Sequence, residues 1–151
     1  MRIRELRPAD APACDAIVAS LPAWFANEEG IRECAELVRT TPGLVAEDGG
    51  TVRGFLTRAR RFPRTEEITW IAVEASRRGT GVGTALLAAL EEDLRRNGVR
   101  ILLVKTLSDR EDPGPEYAAT RAFYLARDFE PALELDIWGP ENPCQVLIKP
   151  L

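Results

Sequence analysis

The chain is organised around a stretch in which a strand-like run passes through a glycine-rich loop into a helix-like run. Residues 68–73 are apolar and β-prone, a polar turn follows, and three glycines alternate with other residues between 79 and 83 before an amphipathic run begins at Val82. The backbone N–H groups of such a loop, together with the unpaired N–H groups of the first helical turn, form a concave positive site. The pattern therefore predicts a strand, a loop and a helix that can hold a diphosphate.

Two common phosphate motifs do not fit this loop. A Walker motif needs a lysine followed by Ser or Thr after its last glycine, and none is present. The third glycine of a dinucleotide-binding fingerprint would fall on Thr84 or on Leu86. A tight strand-to-helix turn without a ligand is the alternative that glycine clusters generally allow.

Composition limits the remaining function classes. A length of 151 residues suits one domain over 1–151, and a net charge of −4 argues against nucleic acid as the main partner. Three widely spaced cysteines and no histidine suit neither a disulfide framework nor a metal site. The N-terminus is too charged for a secretory signal, and no apolar run has the length of a membrane span. We therefore expect a cytoplasmic protein with no membrane partner and no bound metal.

The apolar periodicity predicts the order β-α-α-β-β-β-α-β-α-β-β. Predicted strands cover 2–7, 44–47, 51–59, 66–73, 99–106, 133–137 and 145–149, and predicted helices cover 11–21, 27–38, 82–97 and 117–127. The Asp48-Gly49-Gly50 turn joins the second and third strands as a hairpin. The strand before the glycine loop should place Glu67, Thr69, Ile71 and Val73 on one face and Trp70 on the other.

Aromatic residues are a candidate surface for a second ligand. Trp24 and Phe25 lie in the loop between the first two helices, and Trp70 lies in the strand before the glycine loop. Together with Glu67 they could shape the pocket of an acceptor, or the aromatic rings could simply fill the core. The sequence leaves both readings open.

Two motifs resemble those of a known family. Arg78-Gly79-Thr80-Gly81-Val82-Gly83, behind a strand that ends in Ala72-Val73, resembles the acetyl-CoA pyrophosphate loop, Arg/Gln-x-x-Gly-x-Gly/Ala, of the GNAT superfamily of N-acetyltransferases. The segment from Tyr124 to Phe129 is similar to the family's Tyr-x-x-x-Gly-Phe segment. Asp128 replaces its glycine, which Asp tolerates because it can adopt a left-handed conformation. Tyr117 stands where many members carry an asparagine that contacts the cofactor.

The resemblance implies an α/β fold, with a mixed sheet of about six to seven strands and about four helices. It also implies transfer of an acetyl group from acetyl-CoA to a primary amine by direct attack in a ternary complex. Glu67 would be the general base and Tyr124 the acid that protonates the departing sulfur. The resemblance assigns the acetyl-CoA contacts to Ile71, Val73, Arg78, Gly79, Thr80, Gly81, Gly83, Thr84 and Tyr124.

The resemblance also bears on the acceptor and on the assembly. The resemblance implies a small-molecule or protein amine as acceptor and, because many family members pair, a homodimer. One alternative is a CoA-binding module that acts as a sensor or a structural partner without turnover. Another is a protein that binds a different phosphate ligand.

Overall fold

Seven strands and four helices follow one another in the predicted order in the computed structural model, which describes all 151 residues. The helices are α1 (Ala11–Ala19), α2 (Glu28–Thr40), α3 (Val82–Arg96) and α4 (Pro115–Leu125). The strands are β1 (Arg2–Glu5), β2 (Gly43–Asp48), β3 (Thr51–Phe62), β4 (Thr65–Val73), β5 (Ile101–Leu107), β6 (Glu130–Leu135) and β7 (Cys144–Pro150). Short 3-10 turns occur at Pro8–Asp10 and Ala75–Arg77.

The strands form one mixed sheet in the order β1-β2-β3-β4-β5-β7-β6. The pairs β1·β2, β2·β3, β5·β7 and β6·β7 are antiparallel. The predicted fold class, α/β with a mixed sheet and four helices, is confirmed. Two compact units can be distinguished, Met1–Ala59 with Ile68–Gly98 and Arg60–Glu67 with Val99–Leu151, and the prediction of a single domain stays a prediction.

The first unit contains α1, α2, α3 and most of the strands β1 to β4. Residues of α1, α2, β2, β3 and β4 share one apolar core, in which Ile17, Val38 and Phe55 are buried. Helix α2 begins at the predicted cap, because the Asn27 side chain accepts a hydrogen bond from the Glu29 N–H at 2.8 Å. The predicted apolar face of α3 is confirmed by the burial of Val82, Leu86, Leu90 and Leu94.

A glycine lets the start of α3 approach β3 closely. A Cβ atom added at Gly54 would lie 2.8 Å from Val82 Cγ1 and 3.2 Å from the Ala72 carbonyl oxygen. Neither distance leaves room for a methyl group. The first turn of α3 therefore lies directly on β3, and its N-terminal end is fixed relative to the sheet.

Strand β4 departs from the predicted strict alternation. The hydroxyls of Thr57 and Thr69 lie 2.7 Å apart, and Thr57 follows Phe55 by two residues on the strand face that packs against α1 and α2. Trp70 packs against the same core. Adjacent residues Thr69 and Trp70 thus face the same side, as happens at a β-bulge.

The second unit is built on β5, β6, β7 and α4. In β5 the residues Leu102, Val104 and Thr106 are buried, whereas the alternate positions are partly or fully exposed. The unit also contains the end of the β3–β4 hairpin. Strand β3 continues to Phe62 rather than ending at residue 59, because pairing with β4 holds residues whose own pattern is not strand-like.

The sequence prediction for β6 is wrong in position and, for two of its three apolar residues, in burial. The strand covers Glu130–Leu135 rather than 133–137, and the predicted half-buried residues Leu133 and Ile137 are 51% and 54% exposed. Alternation shows only which side chains share a face, and β6 is an edge strand that pairs with β7 alone. No helix of the fold combines the length and the hydrophobicity that crossing a bilayer requires.

Candidate active site

The glycine loop enters α3 through two left-handed glycines. Gly79 has a φ of +75° and Gly81, the N-cap residue of α3, has a φ of +92°. L-residues with a Cβ seldom adopt these values. The backbone conformation therefore favours glycine at both positions. A Cβ atom added at either glycine would meet nothing within 4 Å, so the surface above the loop is open.

Backbone donors of α3 begin next to this open surface. The first hydrogen bond of the helix runs from the Ala85 N–H to the Gly81 carbonyl at 3.0 Å. The N–H groups of Val82 and Gly83 precede it and have no intrahelical acceptor. Donors at a helix N-terminus, beside a loop that a side chain does not fill, fit a diphosphate.

Thr80 and Thr84 occupy different places in the loop. The Thr80 N–H and hydroxyl both donate to the Arg77 carbonyl oxygen, at 3.3 and 2.5 Å, so Thr80 closes the turn from within. Thr84 is exposed in the first turn of α3. The predicted contacts of both residues with acetyl-CoA stay predictions.

Of the two cations before the loop, only one lacks an ion pair. Arg77 Nη1 lies 3.1 Å from Asp48 Oδ2. The Arg78 guanidinium stacks instead over the Trp24 ring, 4.0 Å from its centroid. A cation–π contact leaves the charge in place, so Arg78 can still pair with a phosphate.

The aromatic residues predicted to line an acceptor pocket lie in the first unit. Trp24, Phe25 and Trp70 pack against the core of α1 and α2 while remaining partly exposed. The Phe25 and Trp70 rings lie 5.5 Å apart at an interplanar angle of 32°. The rings are thus core residues with an exposed rim, and their role in acceptor binding stays a prediction.

The predicted base, Glu67, is only 5% exposed and lies in an ionic cluster. Its Oε1 accepts a hydrogen bond from Arg61 Nε at 2.9 Å and lies 3.4 Å from Lys105 Nζ. Both contacts use the same oxygen, which leaves Oε2 for a water or an amine. Sequence reasoning missed Arg61 and Lys105 as partners, although a lysine inside the apolar run of β5 was a signal.

The predicted acid, Tyr124, is buried near the end of α4 in the second unit. Its ring packs edge-on against Phe123 and Phe129, with centroids 5.2 Å away in each case. Burial raises the pKa of the Tyr124 hydroxyl above its ordinary value, so the group is protonated at neutral pH. A protonated phenol can donate to a departing thiolate.

The two departures from the family motif have different outcomes. Asp128 has a φ of +68°, which confirms the left-handed conformation expected after α4. The Phe129 N–H then bonds back to the Tyr124 carbonyl at 3.2 Å. Tyr117 is partly buried in α4, where burial and the Glu116 charge raise its pKa, so its hydroxyl can donate a hydrogen bond at neutral pH.

Comparisons with known proteins agree with these features. The model of the acetyltransferase (GNAT) family matches residues 5–128. A structure from Desulfovibrio desulfuricans that is assigned to the GNAT family is 24% identical, with a TM-score of 0.86 over 99% of this chain and 98% of that one. Ribosomal-protein-alanine N-acetyltransferase from Brucella melitensis is 24% identical, with a TM-score of 0.75 over 100% of both chains.

Aminoglycoside 6'-N-acetyltransferase in complex with coenzyme A is 18% identical, with a TM-score of 0.75 over 99% of this chain and 97% of that one. At such identities the solved structures show a shared fold. No curated protein sequence matches the chain. The family match covers the glycine loop, Glu67 and Tyr124. The chain therefore belongs to the GNAT family of acetyltransferases.

Proposed function

We propose that the protein is an acetyl-CoA-dependent N-acetyltransferase that acetylates a primary amine by direct attack in a ternary complex. The open glycine loop at the start of α3 carries this proposal, because it offers backbone donors and a cation to a diphosphate. When bound, acetyl-CoA supplies the acetyl group as a thioester. The donors of Val82 and Gly83 and the Arg78 guanidinium would hold its diphosphate.

The residues of β4 would position the acetyl donor. Ile71 and Val73 lie in the strand that leads to the loop. By analogy with the family, their backbone N–H groups would hold the acetyl oxygen and the pantetheine arm. Oriented donors of this kind stabilise negative charge that develops on a carbonyl oxygen.

Two side chains would manage the protons. The acceptor amine would lose a proton to Glu67, directly or through a water at Oε2, while its nitrogen forms the new bond to the acetyl carbon. Tyr124 would give its hydroxyl proton to the sulfur as the carbon–sulfur bond breaks. Direct attack by the amine needs no covalent intermediate on the protein, and all three cysteines are buried.

A matched pair of glycine variants tests the loop. Gly81→Ala and Gly98→Ala both place a Cβ at a positive φ and in open space, but only Gly81 begins α3 at the proposed diphosphate site. Isothermal titration with CoA should show at least about tenfold weaker binding for Gly81→Ala, because the methyl group would extend into the open space proposed for the diphosphate. Gly98→Ala should bind CoA as the wild type does. Equal affinities in the two variants would contradict the proposed site.

Turnover is tested by CoA thiol release across a panel of primary amines. The wild-type protein should release thiol with at least one amine, and Tyr124→Phe should lower kcat at least about tenfold with little change in CoA affinity. Thermal stabilisation by acetyl-CoA without thiol release for any amine would favour the CoA-binding module instead. Equal loss of kcat and of CoA affinity in Tyr124→Phe would count against the acid role.

A further inference from the structure

The ionic cluster of Arg61, Glu67 and Lys105 has more positive than negative charge. One carboxylate faces two cations, at 2.9 and 3.4 Å. The carboxylate side chain is 7% exposed, whereas the side chains of Arg61 and Lys105 are 45% and 30% exposed. The surface that this cluster presents to a ligand is therefore cationic, and the carboxylate lies beneath it.

The surroundings of the cluster reinforce that charge. Segment 60–64 contains three arginines and no acidic residue, although the chain has a net charge of −4. Arg60 and Arg64 are exposed and form no ion pair. The Arg100 N–H donates a hydrogen bond to the Arg64 carbonyl oxygen at 2.9 Å, which brings a further arginine to the end of the β3–β4 hairpin. A local surplus of cations attracts anions and repels cations over about a Debye length, about 8 Å at physiological salt.

We infer that the acceptor amine carries a carboxylate or similar anionic group, which Arg61 and Lys105 bind beside Glu67. This inference rests on the proposed function, and it names the acceptor class: amino acids and related anionic amines rather than polycationic amines. Arg61 can use its free guanidinium nitrogens for a carboxylate while Nε stays on Glu67. Glu67 Oε2 would then face the amine of the same molecule.

The test compares amines that differ only in the anionic group. Acetyl-CoA-dependent thiol release is measured with 4-aminobutyrate, butylamine and 1,4-diaminobutane. The same assay is applied to shorter α- and ω-amino acids and to their decarboxylated counterparts. The anionic member of a pair should have a kcat/KM at least about tenfold higher, as one charge-assisted hydrogen bond provides. Equal values throughout, or a preference for the diamine, would overturn the inference.

Variants identify which cations are responsible. Arg61→Gln and Lys105→Gln should reduce the preference for the anionic amine to about twofold or less, whereas Arg61→Lys, which keeps the charge, should retain part of it. Arg96→Gln is the matched control, since it removes the same charge from an exposed arginine of α3 that forms no ion pair and does not belong to this cluster. The ratio between paired amines is the readout because a general loss of activity cancels in it. A preference that survives both Gln substitutions would refute the assignment.

Binding without turnover separates the two proposals. The amino acids and their decarboxylated counterparts are titrated calorimetrically into protein saturated with CoA. Anion-dependent binding that Arg61→Gln removes, without thiol release for any amine, would support the inference while the proposed function fails. Acetylation of amines irrespective of their charge would support the function and overturn the inference.

Discussion

Gly54 and Gly30 have different amounts of space around them, which predicts opposite effects on the free energy of unfolding when each is replaced by alanine. A methyl group at Gly54 would lie 2.8 Å from Val82 Cγ1, 3.2 Å from the Ala72 carbonyl oxygen and 3.4 Å from Leu86 Cδ1. Val82 is β-branched and has little rotamer freedom in a helix, and a backbone carbonyl cannot move alone. We expect Gly54→Ala to lower the free energy of unfolding by about 1–3 kcal/mol.

Gly30 provides the contrast. It lies in α2, and a Cβ atom there would lie 3.8 Å from Trp70 Cη2, an ordinary van der Waals distance. Alanine lowers the backbone entropy of the unfolded chain without a clash, so Gly30→Ala should raise the free energy of unfolding by about 0.5–1 kcal/mol. In a chain of this length, each kcal/mol changes Tm by about 2–4 °C.

Urea denaturation followed by circular dichroism measures both stability changes, and calorimetry with CoA adds a functional readout. Because Val82 is the first residue of α3, the displacement caused by Gly54→Ala should also weaken CoA binding, whereas Gly30→Ala should leave it unchanged. A neutral or stabilising Gly54→Ala would show that α3 moves away from the sheet at no cost. Destabilisation by Gly30→Ala would refute the packing argument for α2.

Three further predictions concern charge, backbone and thiols. Arg4 donates two hydrogen bonds of 2.9 Å to Asp10 and lowers the pKa of that carboxyl. The stabilisation that this ion pair provides is complete above the unfolded-state pKa of about 3.9 and is lost as pH falls through the lower pKa of the folded state. Asp10→Asn should therefore lower the free energy of unfolding by about 2 kcal/mol at pH 7 and flatten the acid limb of a stability–pH curve. Asp128→Gly should raise the free energy of unfolding by about 0.5–1 kcal/mol in urea titrations because φ is +68°, and a loss of stability would contradict the strain. All three cysteines are buried, and burial raises the pKa of Cys14 and Cys34 to about 12. Ellman's reagent should therefore detect no thiol in the folded protein and three thiols after unfolding. Rapid labelling of the native protein would refute the burial of these cysteines.

The element order was predictable because apolar periodicity is a local property of the sequence. The alternation of helix and strand patterns gave all seven strands and four helices, and the loop motif from Arg78 to Gly83 lies within six consecutive residues. The left-handed Asp128 also followed from local chemistry, since the residue after a helix must often adopt that conformation. Such features need no knowledge of distant contacts.

Features that depend on tertiary contacts were not predictable. Thr69 contacts Thr57 of β3 and Trp70 packs against the core of α1 and α2, whereas a sequence pattern assumes regular alternation. The partners of Glu67 come from β3 and β5, and periodicity does not show which charges meet. The exposure of Leu133 likewise depends on what covers an edge strand, which its alternation does not encode.

The contact between Arg78 and Trp24 links the two halves of the proposed reaction. Arg78 belongs to the loop proposed to bind the diphosphate, and Trp24 belongs to the aromatic loop proposed to line the acceptor site, yet the guanidinium lies 4.0 Å from the centre of the indole ring. Because an arginine that turns toward a phosphate changes its contact with the ring, binding of the acetyl donor would alter the loop between α1 and α2. The same contact works in reverse, since linkage requires that two ligands coupled through one element affect each other equally. The affinities for donor and acceptor would therefore be coupled through one shared pair of side chains.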